Sequence, residues 1–157
     1  MTPTEGDDVA AVIERLLDEL RPESVDPLVA ESEQAGLGFV RRLAEEWASG
    51  RNRFDRPGEA FCAATLDGRM VGVCGLSIDP YTSVPKVGRV RHLYVLVECR
   101  HLGVGRQLVG EIIRVARDSF ENLRLRTNNP AAARLYERMG FRRCDDVADC
   151  THVMELS

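Results

Sequence analysis

Apolar residues in the first fifty positions recur at helical spacing. Residues 7–20 carry five of them on one face behind two aspartates that suit a helix start, so we predict a helix that ends at Pro22. The same spacing predicts helices over residues 27–35 and 38–49, the second of which stops at Gly50. The chain therefore opens with three predicted helices.

A strand period appears in the middle of the chain and then alternates with helical spacing. An Asp67-Gly68 turn between two apolar runs is a strong hairpin signal, and Asn129-Pro130 with Gly140 brackets a short helix. The predicted strands are residues 59–66, 69–78, 89–97, 123–127, 141–143 and 151–156. The further helices are residues 103–120 and 129–139. This order of elements predicts a fold of the α/β (α+β) class.

The composition is that of a globular protein, with 44% apolar residues, 29% charged residues and a net charge of −4. The 157 residues suit a single domain spanning 1–157. No apolar run has the length of a membrane span, and the N-terminus lacks the basic and apolar stretches of a signal peptide. We therefore expect a soluble, cytoplasmic protein with no membrane partner, and the negative charge gives no reason to expect nucleic acid.

Cysteine, histidine and lysine usage narrows the chemistry further. The five cysteines form no CxxC pair and the three histidines are scattered, which predicts reduced thiols and no metal site. Lys86 is the one lysine among 21 basic residues. Arginine suits phosphate recognition, although genome composition produces the same bias.

Gly103 and Gly105 follow the predicted strand 89–97 and open the predicted helix 103–120. A helix start presents unpaired N–H groups and the positive end of the helix dipole, so phosphate binding is one interpretation. A helix start that only needs flexible residues is the other. A dinucleotide fingerprint would need a third glycine where Leu108 stands, and a P-loop would need a lysine, so neither motif applies.

The run RHLGVG, residues 100–105, resembles the acetyl-CoA signature of the GNAT superfamily of acyl-CoA-dependent N-acetyltransferases. The run NNPAAARLYERMGF, residues 128–141, resembles the downstream motif of the same family. The resemblance implies a mixed, mostly antiparallel central sheet with splayed central strands and helices on both faces. The family usually opens with a strand, which conflicts with the helix predicted over 7–20, where only residues 17–20 suit an extended segment.

Acetyl-CoA is the co-substrate that this resemblance implies, with no metal. Unpaired backbone groups of the central strand would bind the pantetheine arm like an added strand, and the loop would bind the pyrophosphate through its amides and arginines. Asn129 would either cap its helix or contact the cofactor. The residues assigned to acetyl-CoA in this way are Leu93, Tyr94, Val95, Arg100, His101, Leu102, Gly103, Val104, Gly105, Arg106 and Asn129.

The reaction needs a free amine, a group that holds the oxyanion and a proton donor for the thiolate. The resemblance assigns Tyr136 as the proton donor to the departing thiolate, and the alternative is that Tyr136 is only a core residue. The oxyanion is expected to accept a hydrogen bond from a backbone N–H of the central strand, best that of Val95. An ordinary tyrosine pKa lies about 1.5 units above that of a thiol, so full proton transfer costs about 2 kcal/mol and hydrogen bonding is the easier role. The candidate bases are His92, for which a structural role is the alternative, Glu98 and Asp79.

These assignments imply an N-acetyltransferase that acts by direct attack through a tetrahedral intermediate. A small-molecule primary amine is the expected acceptor, because Arg124 stands where the branch that acetylates protein N-termini commonly has a glutamate. A protein or peptide acetyltransferase and a non-catalytic acyl-CoA-binding module are the alternatives. A homodimer is one option for the oligomeric state, because dimers are common in the family, but no residue of the sequence demonstrates one. The residues expected near the acceptor, with a surface role as the alternative for each, are Glu45, Glu46, Trp47, Arg53, Phe54, Asp79 and Tyr81.

Overall fold

A seven-stranded sheet forms the centre of the computed structural model, which describes residues 11–16 and 19–156. In chain order the strands are β1 (Val12–Arg15), β2 (Ala60–Leu66), β3 (Arg69–Ile78), β4 (Val87–Val95), β5 (Asn122–Leu125), β6 (Arg142–Arg143) and β7 (His152–Glu155). They lie in the order β1-β2-β3-β4-β5-β7-β6, and only β4 and β5 run parallel. The mixed, mostly antiparallel sheet is confirmed.

Four helices cover the sheet in the described part of the chain. They are α1 (Pro22–Gln34), α2 (Phe39–Ser49), α3 (Val104–Ala116) and α4 (Pro130–Arg138). On one face, α3 packs so closely on β3 that a Cβ at Gly72 would lie 3.0 Å from Leu108. On the other face, the Phe39 ring of α2 contacts His92 and Tyr94 of β4. Helices therefore lie on both faces, as expected.

The helix predicted over residues 7–20 is wrong where the structure describes it. Val12–Arg15 pair with β2 as an antiparallel edge strand instead. Ile13 is partly buried and packs against the core from this strand. A single apolar position of this kind is compatible with a helix as well as with a strand. Residues 1–10, 17 and 18, which include half of the segment that suited an extended opening, lie outside the described residues.

Pro22 begins α1 rather than ending a helix, and the predicted start at residue 27 is too late. A proline at the first helical position lacks only an N–H that no helical carbonyl would accept, so it is favoured there. Pro27 lies inside the same helix. At the other end of the fold, α3 stops at Ala116 and a turn leads to Phe120, whose N–H donates to the Ala116 carbonyl.

Other local predictions are confirmed. Asp67 and Gly68 connect β2 and β3 with φ of 51° and 77°, which are the two positive angles of a tight hairpin turn. The α2 helix ends in a left-handed Gly50 with φ of 80°. The Asp67-Gly68 turn fixes the antiparallel register of β2 and β3, and β3 in turn pairs with β4.

Candidate active site

One edge of β4 is open near its C-terminal end. The parallel pairing of β4 with β5 ends at Arg89 opposite Arg124, whereas β4 continues to Val95. Leu96 donates its N–H to the Val71 carbonyl on β3, and successive amides of a strand point to opposite edges. The Val95 N–H therefore points to the open edge, away from β3. The splayed central strands implied by the resemblance are present.

A β-bulge interrupts β4 directly before this open edge. Val73 of β3 pairs with Tyr94 and Gly75 pairs with Arg91, so two residues of β4 stand opposite one residue of β3. His92 lies in the bulge with φ of 60°. Gly75 leaves the space that this requires, because a Cβ there would lie 2.7 Å from the Phe54 ring and 3.3 Å from the Arg91 carbonyl oxygen.

His92 is enclosed by aromatic rings. It stacks on Phe39 at a centroid distance of 6.0 Å with 20° between the planes, and Phe54 meets it edge-on, also at 6.0 Å. Its Nε2 is buried and has no hydrogen-bond partner in the described residues. Burial, followed by the charges of Arg91 and Arg42, lowers the pKa of His92 to about 4. The imidazole is therefore neutral at pH 7 and a weak base.

The loop after β4 leads into α3 without a side-chain cap. A 3-10 turn over Val97–Cys99 is followed by His101 with φ of 68° and Gly103 with φ of 85°. Gly103 is the N-cap of α3 and, as a glycine, has no side chain that could cap the N–H groups of the first turn. The first turn of a helix has no acceptor of its own for these N–H groups, so they suit an anion.

Close packing explains the second glycine of this loop. A Cβ at Gly105 would lie 3.2 Å from Leu135 of α4 and 3.9 Å from Val95, so α3 begins in close contact with both elements. Val104 is buried, whereas Leu102 is half-buried against the core. These two side chains anchor the loop to the core.

Arg100 and Tyr94 lie beside the open edge. Arg100 donates through Nε to the Val95 carbonyl at 2.8 Å, and its guanidinium lies 5.3 Å from the centre of the Tyr94 ring. Leu93 is half-buried, while His101 and Arg106 are exposed at the loop and the start of α3. The residues assigned to acetyl-CoA on these elements therefore lie in one region, around the end of β4.

Asn129 is a helix cap in the structure. Its side-chain oxygen accepts the N–H of Ala131 at 2.9 Å and that of Ala132 at 3.3 Å, at the start of α4. This decides the structural role that the sequence left open. A contact with the cofactor stays a prediction.

Tyr136 reaches the sheet from α4 and is 5% exposed. Its ring packs edge-on against Phe141 at 5.6 Å. Burial raises the pKa of Tyr136 well above its ordinary value, and the Cys74 thiol on β3, opposite the bulge, adds to this effect. The phenol therefore stays protonated and is suited to donating a hydrogen bond.

The other two candidate bases lie elsewhere. Asp79 follows β3, where its N–H bonds to Val87, and its carboxylate lies 3.6 Å from Arg89. Val87 and Val95 are the two ends of β4, about 25 Å apart at strand rise, so Asp79 is remote from the open edge. Glu98 pairs with Arg69 on the surface. Of the three, only His92 lies beside the open edge.

The residues expected near the acceptor divide into core and surface. Trp47 and Phe54 are both 4% exposed and pack on Phe61, so they belong to the core. Tyr81 covers the guanidinium of Arg89 at 4.5 Å, at the end of β4 remote from the bulge. The exposed members are Tyr81, Glu45 and Arg53, and Glu46 is half-buried.

Two hydrogen-bonded networks had no sequence signal. Glu31 of α1 accepts the Tyr94 hydroxyl at 2.7 Å and the Val97 N–H at 2.9 Å, which fixes the end of β4 against a helix. Burial, together with this hydrogen bond, raises the pKa of Tyr94 to about 12. On the other face, buried His152 bonds Glu137 at 2.8 Å beside the Tyr136 ring. Both networks join residues far apart in the chain.

Two further features concern membranes and metals. None of the helices in residues 11–16 and 19–156 combines the length and hydrophobicity of a membrane span. The same residues contain no group of three or more His, Cys, Asp or Glu side chains placed to hold a metal ion.

The sequence profile of the acetyltransferase (GNAT) family matches residues 13–141, which is most of the chain. The chain belongs to the GNAT acetyltransferase family. It is thereby an acyltransferase in class, and its open β4 edge and uncapped α3 start fit the acyl-CoA that this family uses.

Solved structures of acetyltransferases have a similar fold. A candidate acetyltransferase from Exiguobacterium sp. 255-15 is 26% identical with a TM-score of 0.79, over 94% of each chain. A GNAT-family acetyltransferase from Staphylococcus aureus Mu50 is 16% identical with a TM-score of 0.70, over 93% of this chain and 100% of that one. The ribosomal-protein-alanine N-acetyltransferase of Brucella melitensis is 20% identical with a TM-score of 0.63, over 90% and 94%.

Proposed function

We propose that this GNAT protein transfers an acetyl group from acetyl-CoA to a primary amine, most simply that of a small molecule, in the cytoplasm. The observation that carries the proposal is the open edge of β4, where the Val95 N–H points into the splay between β4 and β5. The free state of the five cysteines suits a reducing compartment.

The backbone supplies the binding groups in this proposal. The edge around Leu93 to Val95 bonds the pantetheine arm as an added strand, and the first turn of α3 receives the pyrophosphate. The Val95 N–H serves the thioester oxygen as it becomes negative. Arg100 supports this arrangement because its Nε holds the Val95 carbonyl.

Two side chains from opposite faces serve the reacting groups. Tyr136, on the α4 side, donates a hydrogen bond to the departing thiolate, a role that suits a phenol whose pKa is raised by burial. His92, on the α2 side, accepts a hydrogen bond from the incoming amine through the buried Nε2 that lacks a partner. Because its pKa is lowered to about 4, His92 positions the amine but does not keep its proton. The proton that the amine loses on acylation ends on the departing sulfur, so CoA leaves as the thiol.

The test is amine-dependent release of CoA, followed together with the mass of the acetylated product. We expect release with one or more small primary amines. His92→Asn should lower kcat/KM by about tenfold or more, because the amide cannot reproduce the enclosed imidazole. Release with peptides alone would make the protein a peptide acetyltransferase, and binding of acetyl-CoA without release for any amine or peptide would make it a non-catalytic module.

A further inference from the structure

Three arginines of the two splayed strands lie on one face of the sheet, and a fourth lies close to them. Arg89 pairs directly with Arg124 across β4 and β5, and parallel partners in register share a face. Arg91 follows two positions further along β4 and therefore lies on the same face. Arg126 comes directly after β5 and lies 3.6 Å from Asp149, whose backbone carbonyl accepts a hydrogen bond from Arg89. The neighbouring Gly88 and Leu123 face the Phe120 ring after α3, so the three strand arginines lie on the opposite face, with His92 and α2.

Two of these arginines have partners, and two do not. Arg89 lies 3.6 Å from Asp79, and Arg126 lies 3.6 Å from Asp149. Arg91 and Arg124 are half-buried and form no ion pair or side-chain hydrogen bond with any residue that the structure describes. A half-buried guanidinium without a carboxylate is an incomplete site for an anion.

Acidic side chains nearby are already engaged. Arg124 lines a cleft of about 230 Å³ that also contains Arg142, Asp146 and Glu155. Glu155 lies 3.9 Å from Arg142, and Asp146 accepts the thiol of Cys144. The carboxylates of the cleft therefore leave Arg124 without a partner.

The two unpaired arginines are close to each other and to the bulge. Arg91 precedes His92, and Arg124 lies on the neighbouring strand two residues out of register, so their backbones are about 8 Å apart at standard strand spacing. The positive charge of Arg42 on α2 also contributes to the lowered pKa of His92. Every charged group that perturbs His92 is thus positive.

We propose that the acceptor amine carries an anionic group, most simply the carboxylate of an amino acid, which Arg91 and Arg124 bind while the amine meets His92. This inference rests on the proposed function and names the substrate class of the same site. Binding of the anionic group between the two arginines would orient the amine toward the open edge of β4, whereas a purely cationic amine would be repelled by both of these arginines.

The test compares amino acids that represent small, aromatic and acidic side chains with their carboxamides, in acetyl transfer at equal concentration. Phosphoethanolamine against ethanolamine forms a second arm, because a phosphate would use the same arginines. Converting the carboxylate to a carboxamide lowers the pKa of the neighbouring amine, so a larger share of the amine is neutral. This effect alone would favour acetylation of the carboxamide. We expect the anionic member of at least one pair to be preferred tenfold or more in kcat/KM.

Variants test whether the preference depends on Arg91 and Arg124 or on positive charge elsewhere in the protein. Arg91→Gln and Arg124→Gln should each remove most of the preference, measured as the ratio of the kcat/KM values for the anionic and neutral members of one pair. Arg143→Gln is the matched control, because Arg143 is exposed on β6 and pairs with His152 on the α4 face. Equal rates for the anionic and neutral members, or an unchanged preference in both variants, would overturn the inference.

A binding measurement covers the case in which the proposed function itself fails. Calorimetric titration of the same acids and amides into the CoA complex requires no turnover. Binding of the acids that is lost in Arg124→Gln would support the anion site even in a protein that acetylates no amine. Absence of acid-selective binding would reject the site, whatever the acetyl-transfer assay shows.

Discussion

Replacement of His92 by phenylalanine gives a direct measure of the electrostatics at the bulge. The ring has nearly the same shape and stays among Phe39 and Phe54, while the unpartnered Nε2 is removed. The pKa of His92 is lowered from 6.5 to about 4 by burial and by the nearby arginines, so the folded protein binds fewer protons at this residue than the unfolded chain. Stability therefore rises with pH between these values and is lost as the pH falls from 6.5 toward 4.

The size of this effect follows from the two pKa values. Between pH 7 and pH 5, protonation of His92 in the unfolded chain alone lowers the free energy of unfolding by about 2 kcal/mol. The phenylalanine variant lacks this contribution. We therefore expect the wild type to lose about 2 kcal/mol more than His92→Phe over this range, although both lose stability through other groups.

Urea unfolding at both pH values, followed by tryptophan fluorescence, measures the difference. His101→Phe is the matched control, because His101 is exposed in the loop before α3. This control should lose as much stability as the wild type. An equal loss in wild type and His92→Phe would show that His92 titrates normally, and the account of a neutral, enclosed imidazole would be rejected.

Three further variants and one control test other parts of the structure. Tyr136→Phe should lower kcat by tenfold or more with little change in acetyl-CoA affinity, and equal turnover would remove the hydroxyl from the mechanism. Gly103→Val forces a branched side chain into a φ of 85°, at about 1–2 kcal/mol, and should weaken acetyl-CoA binding. Gly68→Val has a comparable φ of 77° in the remote hairpin turn and should leave the affinity unchanged, so a similar loss in both would contradict the assignment of the loop. Tyr94→Phe should lower Tm by about 3–6 °C through loss of about 1.5 kcal/mol from the bond to Glu31, whereas a Tm within 1 °C of wild type would show that the bond is not stabilising.

Local sequence signals predicted the elements whose structure is decided locally. Asp67-Gly68 specifies a hairpin turn by its own backbone preferences, and Asn129 specifies a helix start through bonds to the next two or three residues. The role of the two loop glycines could also be predicted from the sequence, because the left-handed Gly103 and the closely packed Gly105 belong to one short motif. These positions also carry the resemblance to the GNAT family.

Features that depend on distant partners were missed. The edge strand at Val12–Arg15 is stabilised by pairing with β2, which lies about fifty residues further along the chain, and its own apolar spacing suits a helix. The bulge at His92 depends on Gly75 and Phe54, and nothing in the run HLYVLV indicates a positive φ. Glu31 meets Tyr94 across 63 residues, so neither residue identifies the other in the sequence.

Calorimetric titration of acetyl-CoA into the purified protein tests the central claim most directly, because it requires no choice of amine. The open edge of β4 and the uncapped start of α3 predict micromolar binding, weakened at least tenfold for acetylpantetheine, which lacks the pyrophosphate half. Absence of binding up to millimolar acetyl-CoA would contradict the assignment of both elements, and equal affinity for the two ligands would contradict the assignment of the α3 start alone.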